Sequence, residues 1–241
     1  EQVLSSGITE LDSMSAGGLE RGSSVLVLGP TGVGKSSIVS QFAHAAASRG
    51  ERAILYVFDE AVRTAKNRAR AMGMPVGTEI VEQHLCFEQV DPAELSPGEF
   101  VRRIKREVDE KNARVIVMDS LNGFRHSMHQ ETDLALQLHE LLSYLGQRGV
   151  VTFLVLTLHG LVGEVQPDFE ISYFADTVLL MRYFEAGASI RRAISVLKKR
   201  SGPHENTIRE LELDSRGIHV GEPLSRFKGV MSGLPNMIQD R

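Results

Sequence analysis

One stretch limits what this chain can become more than any other: Ser24-Val-Leu-Val-Leu-Gly-Pro-Thr-Gly-Val-Gly-Lys-Ser36. Residues 25–28 are apolar and rich in valine, and read as a buried strand. Residues 29–36, Gly29-Pro-Thr-Gly-Val-Gly-Lys35-Ser36, fit the pattern G-x-x-x-x-G-K-[ST]. Residues 37–48 carry Ile38, Val39, Phe42 and a run of alanines, which favour a helix. Strand, glycine loop and helix in that order form the context in which the pattern cradles phosphate. Gly29, Gly32 and Gly34 let the backbone turn its N–H groups inward, and the following helix adds its positive dipole end. Lys35 is placed for the β- and γ-phosphates of ATP, and the Ser36 hydroxyl for the accompanying Mg²⁺. Nucleotide contacts are therefore expected from Gly29, Thr31, Gly32, Val33, Gly34, Lys35, Ser36 and Ser37.

Val115-Ile-Val-Met-Asp119-Ser120 reads as a buried parallel strand whose last residue emerges at the C-terminal edge of a sheet. Nucleotide hydrolases place there the acid that holds the Mg²⁺ and its water shell, so Asp119 is the second metal-site candidate. Asp59 and Glu60 close another apolar strand, over 53–58. A carboxylate at that end can take a proton from water aligned on the γ-phosphate. Acids are also welcome at a helix N-terminus, and a helix is expected over 60–72.

Further strands are expected over 85–90 and 150–156, and helices over 96–112 and 131–147. The first of these helices carries Phe100, Ile104 and Val108 on one face and the basic run Arg102, Arg103, Lys105 and Arg106 on its solvated side. The second has a leucine stripe. In the lead-in, Ser5 or Thr9 is a candidate cap for a short helix. The last third changes to β-rich runs, a hairpin of 176–184 with 190–199 through a loop at 185–189, then a pair over 207–213 and 217–220. The expected fold is α/β: a doubly wound, mostly parallel central sheet flanked by helices, with antiparallel strands at one edge. One domain is expected over 1–241, with a lead-in (1–23), a nucleotide-binding core (24–160), edge hairpins (176–220) and a C-terminal tail (221–241).

Composition sets outer bounds. A hydrophobic fraction of 42% and a charged fraction of 24% over 241 residues are ordinary for a soluble globular chain. The single Cys86 has no partner for an internal disulfide, which fits a reducing, cytoplasmic setting. The longest apolar stretch, 150–158, is too short to span a membrane, and no signal peptide is visible. A net charge of −4 gives no electrostatic attraction to nucleic acid.

Lys198 and Arg200 share one face of the strand over 190–199, with Lys199 on the other. Two cations on one side of an edge strand suit an arginine-finger role on a neighbouring subunit's phosphate. They also suit a charged edge that resists aggregation. His159, after the strand over 150–156, reads first as a structural histidine, and it and Thr157 are the competing candidates for a polar γ-phosphate sensor.

At this point the chain resembles a family, the KaiC-type branch of the RecA-like ATPases, over nearly its whole length. The resemblance rests on Gly17-Gly18-Leu, the glycine loop, the acids after Tyr56-Val-Phe58, and Val117-Met-Asp119-Ser120. Ala175-Asp-Thr-Val-Leu179, Arg192-Ala-Ile-Ser-Val-Leu-Lys-Lys-Arg200, the His204 segment and Phe227-Lys-Gly-Val-Met-Ser-Gly-Leu-Pro235 add to it. It implies a homo-hexameric ring with ATP between subunits, Asp59 and Glu60 as the general-base pair, and Lys198 and Arg200 reaching in from a neighbour. His204 is expected to approach that neighbour's nucleotide. One unit is present where the clock protein of the family has two, so a second unit in a longer chain is an expected partner. The clock protein also phosphorylates an adjacent Ser-Thr pair; here Ser172 matches the serine and Tyr173 replaces the threonine.

The resulting expectation is an ATP-hydrolysing domain in signalling or timing. Its alternatives are a RecA-like DNA-dependent ATPase and a nucleotide-binding regulatory module with little turnover. Residues 158–175 contain no Lys or Arg, which argues against DNA as the working substrate.

Overall fold

The computed structural model describes residues 2–91, 94–126, 134–158, 173–230 and 236–237. In chain order the elements are β1 (Val3–Leu4), α1 (Thr9–Met14), β2 (Leu19–Glu20), β3 (Ser24–Gly29), α2 (Lys35–Ser48), β4 (Arg52–Val57), α3 (Val62–Ala71), α4 (Glu79–His84), β5 (Leu85–Gln89), α5 (Pro97–Lys111), β6 (Ala113–Asp119), α6 (Leu121–His126), α7 (Leu134–Gln147), β7 (Val151–Thr157), β8 (Thr177–Ala186), β9 (Ser189–Lys199), β10 (Arg209–Asp214), β11 (Gly217–Pro223), β12 (Phe227–Lys228) and β13 (Asn236–Met237).

The main sheet runs β11-β10-β9-β8-β3-β7-β6-β4-β5. From β8 to β5 every neighbouring pair is parallel; β9, β10 and β11 continue antiparallel from β8. This is the expected α/β architecture, with the antiparallel strands at one edge. The parallel strands are apolar on both faces because helices cover both. Val25, Val27, Ala53, Leu55, Val115, Val117 and Phe153 pack into one core with Ile38, Val39 and Phe42 of α2 and Val81 of α4. The alternate residues Leu26, Leu28, Ile54, Tyr56, Ile116, Met118 and Leu154 face a second core with Phe100 and Ile104 of α5 and Leu138 and Leu145 of α7. Among the described residues, no helix is long and apolar enough to cross a membrane.

Local chemistry sets several boundaries. Ser96 accepts a hydrogen bond from the Glu99 amide, and Glu99 Oε2 accepts one from the Ser96 amide at 3.0 Å. This capping box starts α5, and Pro97 occupies its first turn. Departures from the sequence reading concern ends and short elements. The helix expected from 60 begins at Val62, because Asp59 and Glu60 bond elsewhere. The loop expected at 185–189 is only Gly187-Ala188; both have positive φ (57° and 59°), as a type I′ turn requires, so β8 and β9 pair down to Ala186 and Ser189. Neither Ser5 nor Thr9 caps α1: Ile8 holds that position, and the Ser5 hydroxyl donates to Asp12 Oδ2 at 2.5 Å. Helices α4 and α6, six residues each, add to the expected elements.

Candidate nucleotide-binding site

The glycine loop leaves β3 at Gly29 and enters α2 at Lys35, in the middle of the parallel strands. Gly32 and Gly34 have φ of +77° and +110°, conformations that side chains disfavour. A Cβ on Gly29 would lie 2.7 Å from the Met181 carbonyl oxygen, and one on Gly34 would lie 2.4 Å from Leu213 Cδ1. The loop is thus pressed against β8 and β10, and glycine alone fits there. Gly34 is the N-cap of α2, with no side-chain cap and no acid in the first turn. The amide donors and positive end of a 14-residue helix are therefore unneutralised, which suits an anion.

The Lys35 ammonium donates to the carbonyls of Gly29 and Pro30 at 2.9 and 2.8 Å. Burial pulls its pKa down to about 8, against the attraction of the Asp119 carboxylate. Asp119 is shifted the other way. Burial raises its carboxyl, while a hydrogen bond with Ser36 and the charges of Arg68 and Lys35 work against that. Ser36 and Asp119, more than eighty residues apart in sequence, therefore meet as a hydroxyl–carboxylate pair.

Strand register brings the remaining candidates to the same end of the sheet. Asp119 lies beside Val57 of β4 and Val155 of β7, and the Phe58 amide donates to the Asp119 carbonyl at 2.8 Å. Asp59 follows directly and is exposed; its Oδ2 accepts from the Ser120 hydroxyl at 2.5 Å. Glu60 is half-buried, and its two oxygens accept from Arg68 at 2.6 and 2.8 Å. Thr157, at the end of β7, is clasped through its backbone by the Asn122 amide at 2.8 and 3.2 Å. His159 and Ser172 lie outside the described residues.

The cations of β9 are elsewhere. Lys198 donates to the Ala175 carbonyl at 2.8 Å. Arg200 donates to the Tyr173 carbonyl at 2.5 Å and lies 3.6 Å from Asp176 Oδ1. Asp176 in turn accepts from the amide and hydroxyl of Ser24, at the start of β3. Lys199 points the other way, to the Ser15 carbonyl at 2.7 Å. His204 is half-buried beyond them, and the adjacent Glu205 amide donates to Met14. Lys198 and Arg200 therefore sit at the Ser24 end of β3, while the glycine loop sits at the Gly29 end. Six strand residues separate the two ends by about 17 Å. The depression at the Ser24 edge, about 480 Å³ and lined by Arg21, Arg49, Glu51, Arg114 and Gly149, is remote from the glycine loop as well.

Sequence reasoning missed Arg68, Ser120, Asn122 and Gly123 as parts of this site. Gly123 carried a readable signal, being a glycine just after an acid-terminated strand. A Cβ there would lie 2.5 Å from Asp59 Oδ1 and 2.7 Å from Phe58 Cβ. Arg68, eight residues from its partner, carried none.

The chain is similar to known proteins over nearly its whole length. The chain is 30% identical over 246 residues to the circadian clock oscillator protein KaiC of Acaryochloris marina, covering 98% of this chain and 45% of that protein. It is 28% identical over 233 residues to the circadian clock protein KaiC3 of Synechocystis sp., covering 96% and 46%. With the KaiC of Synechococcus elongatus it shares 28% over 236 residues, covering 98% and 45%. The chain thus spans about half the length of the curated relatives it matches. The family model described as "ATPase: KaiC" matches residues 4–225, and the chain belongs to the KaiC family of ATPases.

Proposed function

We propose that residues 1–241 form one ATPase unit that binds ATP with Mg²⁺ at the Gly29–Ser36 loop and hydrolyses it at the interfaces of a homo-hexameric ring, serving signalling or timing. The observation that carries the reading is the convergence of the glycine loop, the Ser36–Asp119 pair and the Asp59-Glu60 turn at one end of the sheet.

The residues present fit the expected ligands. The uncapped α2 and the glycine backbone, with contacts from Thr31, Val33 and Ser37, suit a phosphate chain. A hydroxyl and a carboxylate are hard oxygen donors suited to Mg²⁺. Among the described residues no group of three or more His, Cys, Asp or Glu could hold a metal. That fits a cation held largely by phosphate oxygens and water, with Ser36 directly and Asp119 through its water shell. Bound Mg²⁺ supplies neutralisation of the phosphate charge. Lys35 exchanges its two carbonyl partners for phosphate oxygens, and a carboxylate of the Asp59-Glu60 turn accepts the proton of the attacking water.

Lys198 and Arg200, at the far end of β3, cannot serve their own chain's loop. Their position supports service to a neighbour, with Arg200 as the transition-state cation and His204 beside it. Tyr173, 74% exposed, is tethered to Arg200 through its carbonyl. Ser172 is the preceding residue, and this adjacency favours Ser172 as an autophosphorylation site across the same interface. Phosphoamino-acid mapping after incubation with labelled ATP tests it, and the absence of label on Ser172 removes it.

Mass by light scattering, with and without Mg²⁺ and a non-hydrolysable ATP analogue, tests the ring. A nucleotide-dependent hexamer is expected. A chain that stays monomeric in every condition while still binding nucleotide would instead support a regulatory module with little turnover.

A further inference from the structure

We propose that Arg68 is a positioning residue for this hydrolysis: it reserves Glu60 as a counter-ion and leaves Asp59 to accept the proton from water. The inference rests on the site reading above and divides its two adjacent acids by role.

The geometry is asymmetric. Both oxygens of Glu60 are engaged, each by a different nitrogen of the Arg68 guanidinium, at 2.6 and 2.8 Å. This is the fork-on-fork pairing that only arginine makes with a carboxylate. The Arg68 and Glu60 side chains are 30% and 23% exposed, so the pair is partly withdrawn from solvent. Asp59 uses one oxygen, Oδ2, on Ser120. Its other oxygen, Oδ1, lies against Gly123, in space that a side chain there would take. One acid therefore has both oxygens fixed on a cation, while its neighbour keeps one oxygen off the hydroxyl that orients it.

Arg68 is built into the site as well as into its helix. It projects from α3, whose Ala65 and Ala69 are buried, so the guanidinium is anchored on a packed element. Its charge also acts on the Asp119 carboxylate, opposing the rise that burial causes there. Without Arg68, Glu60 would stand uncompensated next to Asp59 and within electrostatic reach of Asp119, free to compete for the water that Asp59 must face.

The test is steady-state ATP turnover of the full chain with Mg²⁺, alongside thermal melts. Glu60→Gln is expected to lower kcat clearly less than Asp59→Asn, which loses about a hundredfold or more. Arg68→Ala is expected to lower kcat about tenfold with KM moved less than about twofold. Arg68→Lys, which keeps the charge but loses the two-pronged contact, is expected to recover only part of that loss. Introduced into Glu60→Gln, Arg68→Ala should cost nothing further, because its effect runs through Glu60. A loss of melting temperature with kcat unchanged would assign Arg68 a purely structural role and overturn the proposal. An equal fall in kcat in the Glu60→Gln background would overturn it too. An inactive wild-type chain would instead remove the hydrolytic reading itself, and this assignment with it.

Discussion

At the scale of single residues, the site depends on contacts that tolerate no added atom. Gly34→Ala would place a Cβ 2.4 Å from Leu213 Cδ1 at a φ of +110°. Strain of this kind costs about 1–3 kcal/mol, and a thermal melt should show it. Truncating Leu213 to Ala in the same variant should recover only the steric part. Glu107 makes a separate, pH-dependent contribution. Its carboxylate accepts from Arg52 at 2.8 and 3.0 Å and from Lys111 at 2.7 Å. Burial pushes its pKa up, but the hydrogen bonds from Lys111 and Arg52 outweigh burial and hold it below the ordinary value of 4.5. The folded value is therefore the lower one, so the stability is fully present above about pH 4.5 and is lost as pH falls through the folded value. Glu107→Gln should cost about 2 kcal/mol at pH 7. The gap to wild type should narrow in urea titrations carried out below pH 4.5. A gap that stays constant with pH would mean the ion pair is not the source.

At the scale of elements, the hairpin of β8 and β9 is the longest antiparallel pairing. It turns through Gly187 and Ala188, both with positive φ. An L-residue such as alanine pays a steric penalty there that glycine does not. Ala188→Gly is therefore expected to stabilise the chain by up to about 1 kcal/mol, or about 2–4 °C in Tm. A lower Tm would mean that the added chain entropy dominates. The same elements show what could be read in advance. The start of α5 was legible because Ser96, Pro97 and Glu99 are a local signal, and its apolar stripe repeats every four residues. The start of α3 was not. Asp59-Glu60 looked like helix N-terminal acids, but Ser120 and Arg68 draw them out of the helix, and Ser120 is sixty-one residues away. Helices α4 and α6 span fewer than two turns, too short for periodicity to register.

At the scale of the whole molecule, the glycine loop and the Lys198–Arg200 pair occupy opposite ends of β3. A ring joined head to tail would bring one chain's loop to the next chain's cations, a heterologous closed interface. Subunit mixing tests this arrangement. Lys35→Ala and Arg200→Ala chains, each expected to lose turnover alone, should regain part of it when mixed and annealed. In a mixed ring some interfaces pair an intact loop with an intact Arg200. If mixing restores nothing although mixed rings form, the two groups do not act on the same nucleotide. Tyr173, whose carbonyl accepts from Arg200, and Leu197, next to Lys198 in sequence, are exposed, and their burial would add to such an interface.

Sequence alone determined the features that are local or periodic: the strand–glycine loop–helix unit, the apolar strands of a two-faced sheet, the acids at strand ends and the β-rich last third. Backbone freedom at glycine, side-chain alternation and helical periodicity act over a few residues, so they are written in consecutive positions. Tertiary structure decided everything that depends on which strands lie side by side. Register placed Asp119 against Val57 and Val155, joined Ser36 to Asp119, set Ser120 on Asp59 and Arg68 on Glu60, and put Arg200 a full strand length from its own glycine loop. These relations come from burying both faces of one sheet at once, a condition that no short stretch of chain contains.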